Sequence, residues 1–159
     1  MARERLYRPG VGIVLMNSFK KVWVGRRIDS LDAWQMPQGG IDDGEIPEEA
    51  VFRELLEEVG TNSAKIIYAS KKLYYYDLPS GIASRIWEGK YRGQEQQWFL
   101  MEFLGQDSDI NIAKGESPEF DDWRWSSLRD LPDTIVHFKR KLYEDLLIEL
   151  SPVINKHFG

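Results

Sequence analysis

Three carboxylates, Glu54, Glu57 and Glu58, stand at i, i+3 and i+4 within residues 46–59, a segment whose pattern predicts a helix. At about 100° per residue, Phe52, Leu55, Leu56 and Val59 form one apolar stripe, and the three glutamates fall on the opposite side. Like charges at that spacing repel by a few tenths of a kcal/mol per pair. Two readings fit the triad alone. One is a solvated acidic face. The other is a seat for a hard divalent cation such as Mg²⁺, which takes oxygen ligands and keeps part of its water shell. A cation held there would turn that mutual repulsion into a favourable arrangement.

Composition removes the competing chemistries. The chain has 159 residues and no cysteine, which excludes disulfides, thiolate zinc sites and cysteine nucleophiles. His137 and His157 are its only histidines, and they lie far apart in the sequence. The formal net charge of −5 argues against a protein that coats nucleic acid. The lysine-rich pairs Lys20-Lys21 and Lys71-Lys72, with Lys139-Arg140-Lys141, suit at most a short nucleic-acid footprint, not an extended surface. No apolar run approaches the roughly 18 residues of a spanning helix. The segment MARERLYRPG carries no apolar signal core, so the expectation is a cytoplasmic protein with no membrane association. Nothing in the sequence sets an oligomeric state.

The elements that must position the triad follow from periodicity and turn residues. Residues 11–16 and 21–25 are short β-prone runs joined by the hairpin-like pair Asn17-Ser18. The helix over 46–59 has Pro47 in its first turn and Gly60 as its stop. Residues 65–78 predict one long strand or a hairpin, 96–104 a strand and 122–125 a short one. A last helix is expected over about 134–150, with Val136, Arg140, Tyr143, Leu147 and Leu150 near one stripe. The long stretches 26–45 and 79–95 exceed ordinary loop lengths, and long ordered loops are often functional. The coarse expectation is a single α/β domain over 1–159, with helices on a mixed sheet.

Read backwards from Glu58, the sequence is GGIDDGEIPEEAVFRELLEEVGT over residues 39–61. This resembles the Nudix box, G-x5-E-x7-R-E-U-x-E-E-x-G-U, where U is a bulky aliphatic residue. All seven fixed glycine and charged positions match, a coincidence of about one in 10⁸ at typical residue frequencies. Thr61 is the one departure, at a position that concerns loop packing. The resemblance implies the Nudix fold, a mixed β-sheet sandwiched between helices. It further implies Glu54, Glu57 and Glu58 as metal ligands, with a carbonyl beside Gly39 completing the set. Arg53 would then orient the carboxylates through Glu45 or Glu57. Mg²⁺ is the implied cofactor, with Mn²⁺ or another divalent cation as a substitute.

Flanking segments narrow the likeness. YRP at 7–9, VGIV at 11–14, WQMPQGG at 34–40, QWFL at 97–100, PEFD at 118–121 and FKR at 138–140 resemble one branch. That branch comprises bacterial RNA pyrophosphohydrolases and the similar asymmetric diadenosine tetraphosphate hydrolases, and the likeness spans residues 7–150. It implies cleavage of phosphoanhydride bonds in 5′-triphosphorylated RNA or dinucleoside polyphosphates. It also implies Glu119 as a metal ligand or general base, against the plainer reading of a solvated loop glutamate. Arg8, Arg27, Tyr76, Phe138 and Lys139 become contacts to phosphate or base. Two alternatives stand beside this reading: hydrolysis of other small nucleotides such as ADP-ribose or nucleoside triphosphates, and a nucleotide-binding module without turnover.

Overall fold

The computed structural model describes residues 6–29, 33–83 and 85–159. Residues 1–5 and 30–32, part of the N-terminal segment and of the long polar stretch read above, lie outside them.

Strand β1 (Leu6–Met16) is the spine, buried without interruption from Gly10 to Met16. Such a run needs cover on both faces. It pairs antiparallel with β2 (Val22–Arg27) and with β4 (Gln38–Gly40), and β2 pairs with β3 (Trp34–Gln35). The connection from β1 to β2 is longer than a two-residue turn, because Met16 opposes Val22. Asn17 organises it, its Oδ1 accepting the backbone N–H groups of Phe19 and Lys21.

Residues 65–78 form neither a single strand nor a hairpin. Strand β5 (Ala64–Ala69) and strand β6 (Tyr74–Asp77) lie end to end along one partner, β7 (Tyr91–Phe103), both antiparallel to it. Ser70 marks the break: its Oγ accepts Trp98 N–H and donates to the Lys72 carbonyl. Strand β7 starts well before residue 96 and runs parallel to β1, and β8 (Phe120–Ser126) pairs with β2. The long stretch 79–95 is thereby shortened and contains α2 (Ser80–Ala83) and a 3-10 turn at Trp87–Gly89.

Period-two alternation divides the sheet residues between two cores. Val11, Ile13, Leu15, Trp23, Phe99 and Met101 point to the face covered by α1 (Pro47–Val59). Val14, Met16, Val22, Val24, Trp98 and Leu100 point to the face covered by α4 (Arg140–Phe158). The sheet therefore sits between helices, as the resemblance implied. Helix α4 is displaced toward the C-terminus relative to the expected 134–150. Residues 131–134 form α3 and His137–Lys139 a 3-10 turn, which leaves Val136 outside any helix. Its buried stripe is Leu142, Tyr143, Leu146, Leu150 and Ile154. Tyr143 Oη accepts the Met36 backbone N–H at 2.9 Å, which ties α4 to the segment leading into β4. Among the described residues, no helix is long and apolar enough to cross a membrane.

Helix α1 carries Pro47 in its first turn, and Glu49 reaches back to accept the Ile46 N–H. It ends at Gly60, whose φ of 87° is left-handed and whose missing side chain leaves room for the Asn111 carbonyl; a Cβ there would lie 2.2 Å from that oxygen. Gly60→Ala should therefore cost about 2 kcal/mol, from left-handed strain and the displaced carbonyl. Urea unfolding checks this, and an unchanged midpoint would mean that the cap is not constrained.

Candidate functional site

The face that α1 turns inward differs from the expected stripe. Ala50, Val51, Leu55 and Val59 pack on the sheet, and Glu54 and Glu58 are buried beside them. Leu56 is exposed, and Phe52 only half-buried. The apolar side is rotated toward the glutamates because β4 passes close by. Only Glu57 of the three carboxylates is exposed.

That close passage rests on Gly39, where a Cβ would sit 2.0 Å from the Glu54 carboxyl carbon. The backbone of β4 thus lies directly against the Glu54 carboxylate, and Gln38 N–H donates to Glu58 Oε2 at 3.1 Å. Arg53 gathers the remaining groups. It grips Glu45 with two bonds of 2.8 and 2.9 Å, Glu54 at 2.8 Å and the Gly40 carbonyl at 2.7 Å. Glu57 is more distant, at 3.5 Å. Of the two partners expected for Arg53, Glu45 is therefore the principal one. The guanidinium drives the Glu45 carboxyl down to about 2. Burial pushes Glu54 up to about 7 against the pull of Arg53. Burial also lifts Glu58 well above the carboxylate range, and Glu119 and Glu54 add to it by repulsion.

Glu119 enters from the loop before β8, its backbone carbonyl fixed by Ile28 N–H at 3.0 Å and its carboxylate near enough to Glu58 to repel it. Glu54, Glu57, Glu58 and Glu119 line one groove of about 550 Å³. Among the described residues, no three acidic or histidine side chains already stand in a metal-ready cluster. Glu54 is turned to Arg53 and Glu58 to Gln38 N–H. The donor set nonetheless fits a hard cation: it is all oxygen, partly buried, and its members repel one another when ionised.

A second cleft of about 480 Å³ adjoins the first and shares Glu119 with it. Arg8, Arg27, Tyr76, Phe138 and Lys139 all line it, so the five binding residues read from the sequence converge on one cavity. Arg27 is held by Asp29 through two bonds of 2.7 Å, and Arg8 lies 5.1 Å over the Trp87 ring. Tyr76 is only 6% exposed, with the Phe138 ring at 5.9 Å and the Lys139 ammonium at 4.8 Å. Its face is covered, so it forms the floor of the cleft, whereas half-buried Phe138 keeps surface for stacking.

Gln35 was quoted in the sequence motif without a role. Fully buried, it accepts hydrogen bonds from both Arg27 and Lys139 on one oxygen, each at 3.3 Å, and so aligns two mutually repelling cations. Its Nε2 is buried without a hydrogen-bond partner. A glutamine set between Trp34 and Met36 is the only signal the sequence carries; its burial and its two partners require the fold. Trp87 was missed because only the course of residues 79–95 brings it under Arg8.

Lys139 is 4% exposed. Burial, with repulsion from Arg27, lowers its ammonium from 10.5 to about 7, while Glu119, Glu58 and Asp29 pull the other way. A depressed lysine binds fewer protons folded than unfolded between those two values, so its destabilising effect is full below about 7 and fades toward 10.5. Lys139→Met should therefore melt above wild type at about pH 6, with the gap closing toward about pH 10. Thermal unfolding across pH checks this; a constant gap would mean that the ammonium is solvated.

The NUDIX domain family model matches residues 6–146. An RNA pyrophosphohydrolase of Wolbachia pipientis subsp. Culex pipiens is 46% identical over 154 residues, 97% of this chain and 95% of its own. The RNA pyrophosphohydrolase of Rickettsia typhi is 50% identical over 149 residues, 93% of this chain and 92% of its own. Among solved structures, the E. coli dihydroneopterin triphosphate pyrophosphohydrolase superposes with a TM-score of 0.69 at 20% identity, over 91% of this chain and 99% of that one. A C. elegans Ap4A hydrolase in a binary complex gives 0.62 at 17%, over 90% and 98%. At those identities the structural likeness speaks for the fold.

Proposed function

This chain belongs to the NUDIX family, and from that membership we propose that it is a cytoplasmic, Mg²⁺-dependent pyrophosphohydrolase acting on 5′-triphosphorylated RNA, with dinucleoside polyphosphates as a second substrate class. The observation that carries the reading is Glu119, which stands in the wall shared by the acidic groove and the cationic, aromatic cleft. A phosphate chain lying across that wall has its cleaved bond over the carboxylates and its nucleoside end in the cleft. The relatives named RNA pyrophosphohydrolases, at about half identity over nearly the whole chain, support the choice of RNA.

Glu54, Glu57, Glu58 and Glu119, with the Gly39 carbonyl, would hold the divalent cation. Bound there, it would neutralise phosphate oxygens and acidify the attacking water. Arg53 positions Glu54 and braces the loop through Glu45 and the Gly40 carbonyl. Arg8 and Arg27 take phosphate oxygens, Phe138 stacks a nucleobase, and Lys139 meets its acceptor edge. Tyr76 supports Phe138 and Lys139 from below.

The test offers triphosphorylated RNA, diadenosine tetraphosphate, ATP and ADP-ribose to the enzyme under the same Mg²⁺ conditions and identifies the products. Release of 5′-monophosphorylated RNA at the highest kcat/KM supports the reading, and a preference for ADP-ribose or ATP overturns it. Phe138→Ala should lower kcat/KM on RNA by about tenfold. It should change hydrolysis of a 5′-triphosphorylated abasic ribose much less, since that compound has no base to stack. Equal losses on both would make Phe138 a structural residue.

A further inference from the structure

Beyond the cleft, a second groove of about 640 Å³ runs between the outer edge of β6 and the start of α4, and Tyr76 and Phe138 are walls of both. Its lining is unusual for a surface. Tyr75 is 49% exposed and Ile148 74%, with Leu73 beside them. Tyr7 stands edge-on to Tyr75 at 5.0 Å, which fixes the pair as a rigid aromatic corner. Lys72 and Lys141, neither of which lines the cleft, sit on its rim. The acids present do not leave the groove negative. Asp77 is held by Tyr7 and Arg92, and Asp145 by Lys141.

Resting on the RNA reading above, we infer that this groove is a stacking track for nucleotides downstream of the one in the cleft, giving the enzyme a preference for triphosphorylated RNA chains over dinucleotides. Exposed aromatic and apolar faces suit bases that stack without sequence discrimination, and the Lys72 ammonium on the rim suits the backbone that joins them. Continuity fixes the occupant, because a chain leaving the cleft past Phe138 enters the groove directly. The footprint stays short, as an acidic protein requires.

Kinetics on single-stranded triphosphorylated dinucleotide and tetranucleotide test the track. The wild-type enzyme should gain about fivefold or more in kcat/KM with the longer chain. Tyr75→Ala and Ile148→Asp should each erase that gain while leaving dinucleotide and ATP turnover unchanged. A gain that survives both variants overturns the inference, and so does a loss falling equally on both lengths. Failure of the wild-type enzyme to hydrolyse either RNA would sink the RNA reading itself. The groove would then be judged by fluorescence anisotropy of an unphosphorylated tetranucleotide: binding weakened by Tyr75→Ala supports the track, and unchanged or absent binding overturns it.

Discussion

Glu58→Gln should abolish turnover, lowering kcat by about 10³-fold or more at saturating Mg²⁺, with the fold retained. Glutamine keeps the shape of the side chain and an oxygen that can accept the Gln38 N–H. It removes the negative charge at the point where Glu54 and Glu119 converge on the same residue. A cation seated there would lose an anionic ligand, and the attacking water its activation. Stability should hold or rise at neutral pH, because a neutral amide replaces a buried carboxyl surrounded by like charges. Parallel measurement of kcat and of thermal unfolding separates the two effects. A variant with near-native kcat would remove Glu58 from the catalytic set. A variant that unfolds would make its role structural.

The same residue shows where sequence reasoning stops. The positions of the glutamates were legible, since Glu54, Glu57 and Glu58 carry their spacing in the sequence. Their burial was not. Helical periodicity placed all three opposite an apolar stripe, yet Glu54 and Glu58 lie on the packed side and Leu56 does not. Periodicity reads the average polarity of a helix face, and a carboxylate buried for chemistry counts against the face it occupies. Strand β7 and helix α4 were similarly legible as elements but misplaced at their ends. Gly93 and Gln94 look like loop residues until pairing with β1 and β6 is known. The convergence of Arg8, Arg27, Phe138 and Lys139 on one cavity came from the family resemblance, because these residues lie on segments that only the sheet brings together.

Arg53→Met should lose on both counts, by about 100-fold in kcat and by roughly 3 kcal/mol in stability. The guanidinium serves Glu45 twice, Glu54 once and the Gly40 carbonyl once, from a partly buried position. Methionine fills similar volume and replaces none of these bonds, leaving the buried Glu54 carboxyl without its cation. The loop between β4 and α1 also loses the contact that holds its carbonyl, so the backbone at Gly39 is freed to drift from Glu54. Arg53→Lys is the informative companion. It restores the charge but not the planar fork that grips Glu45 while reaching Gly40, so it should recover part of the stability and little of the rate. Urea unfolding with kinetics on both variants decides the matter. Near-complete rescue of kcat by lysine would reduce Arg53 to a point charge, and an unchanged unfolding midpoint in Arg53→Met would mean that the loop is held by β4 pairing alone.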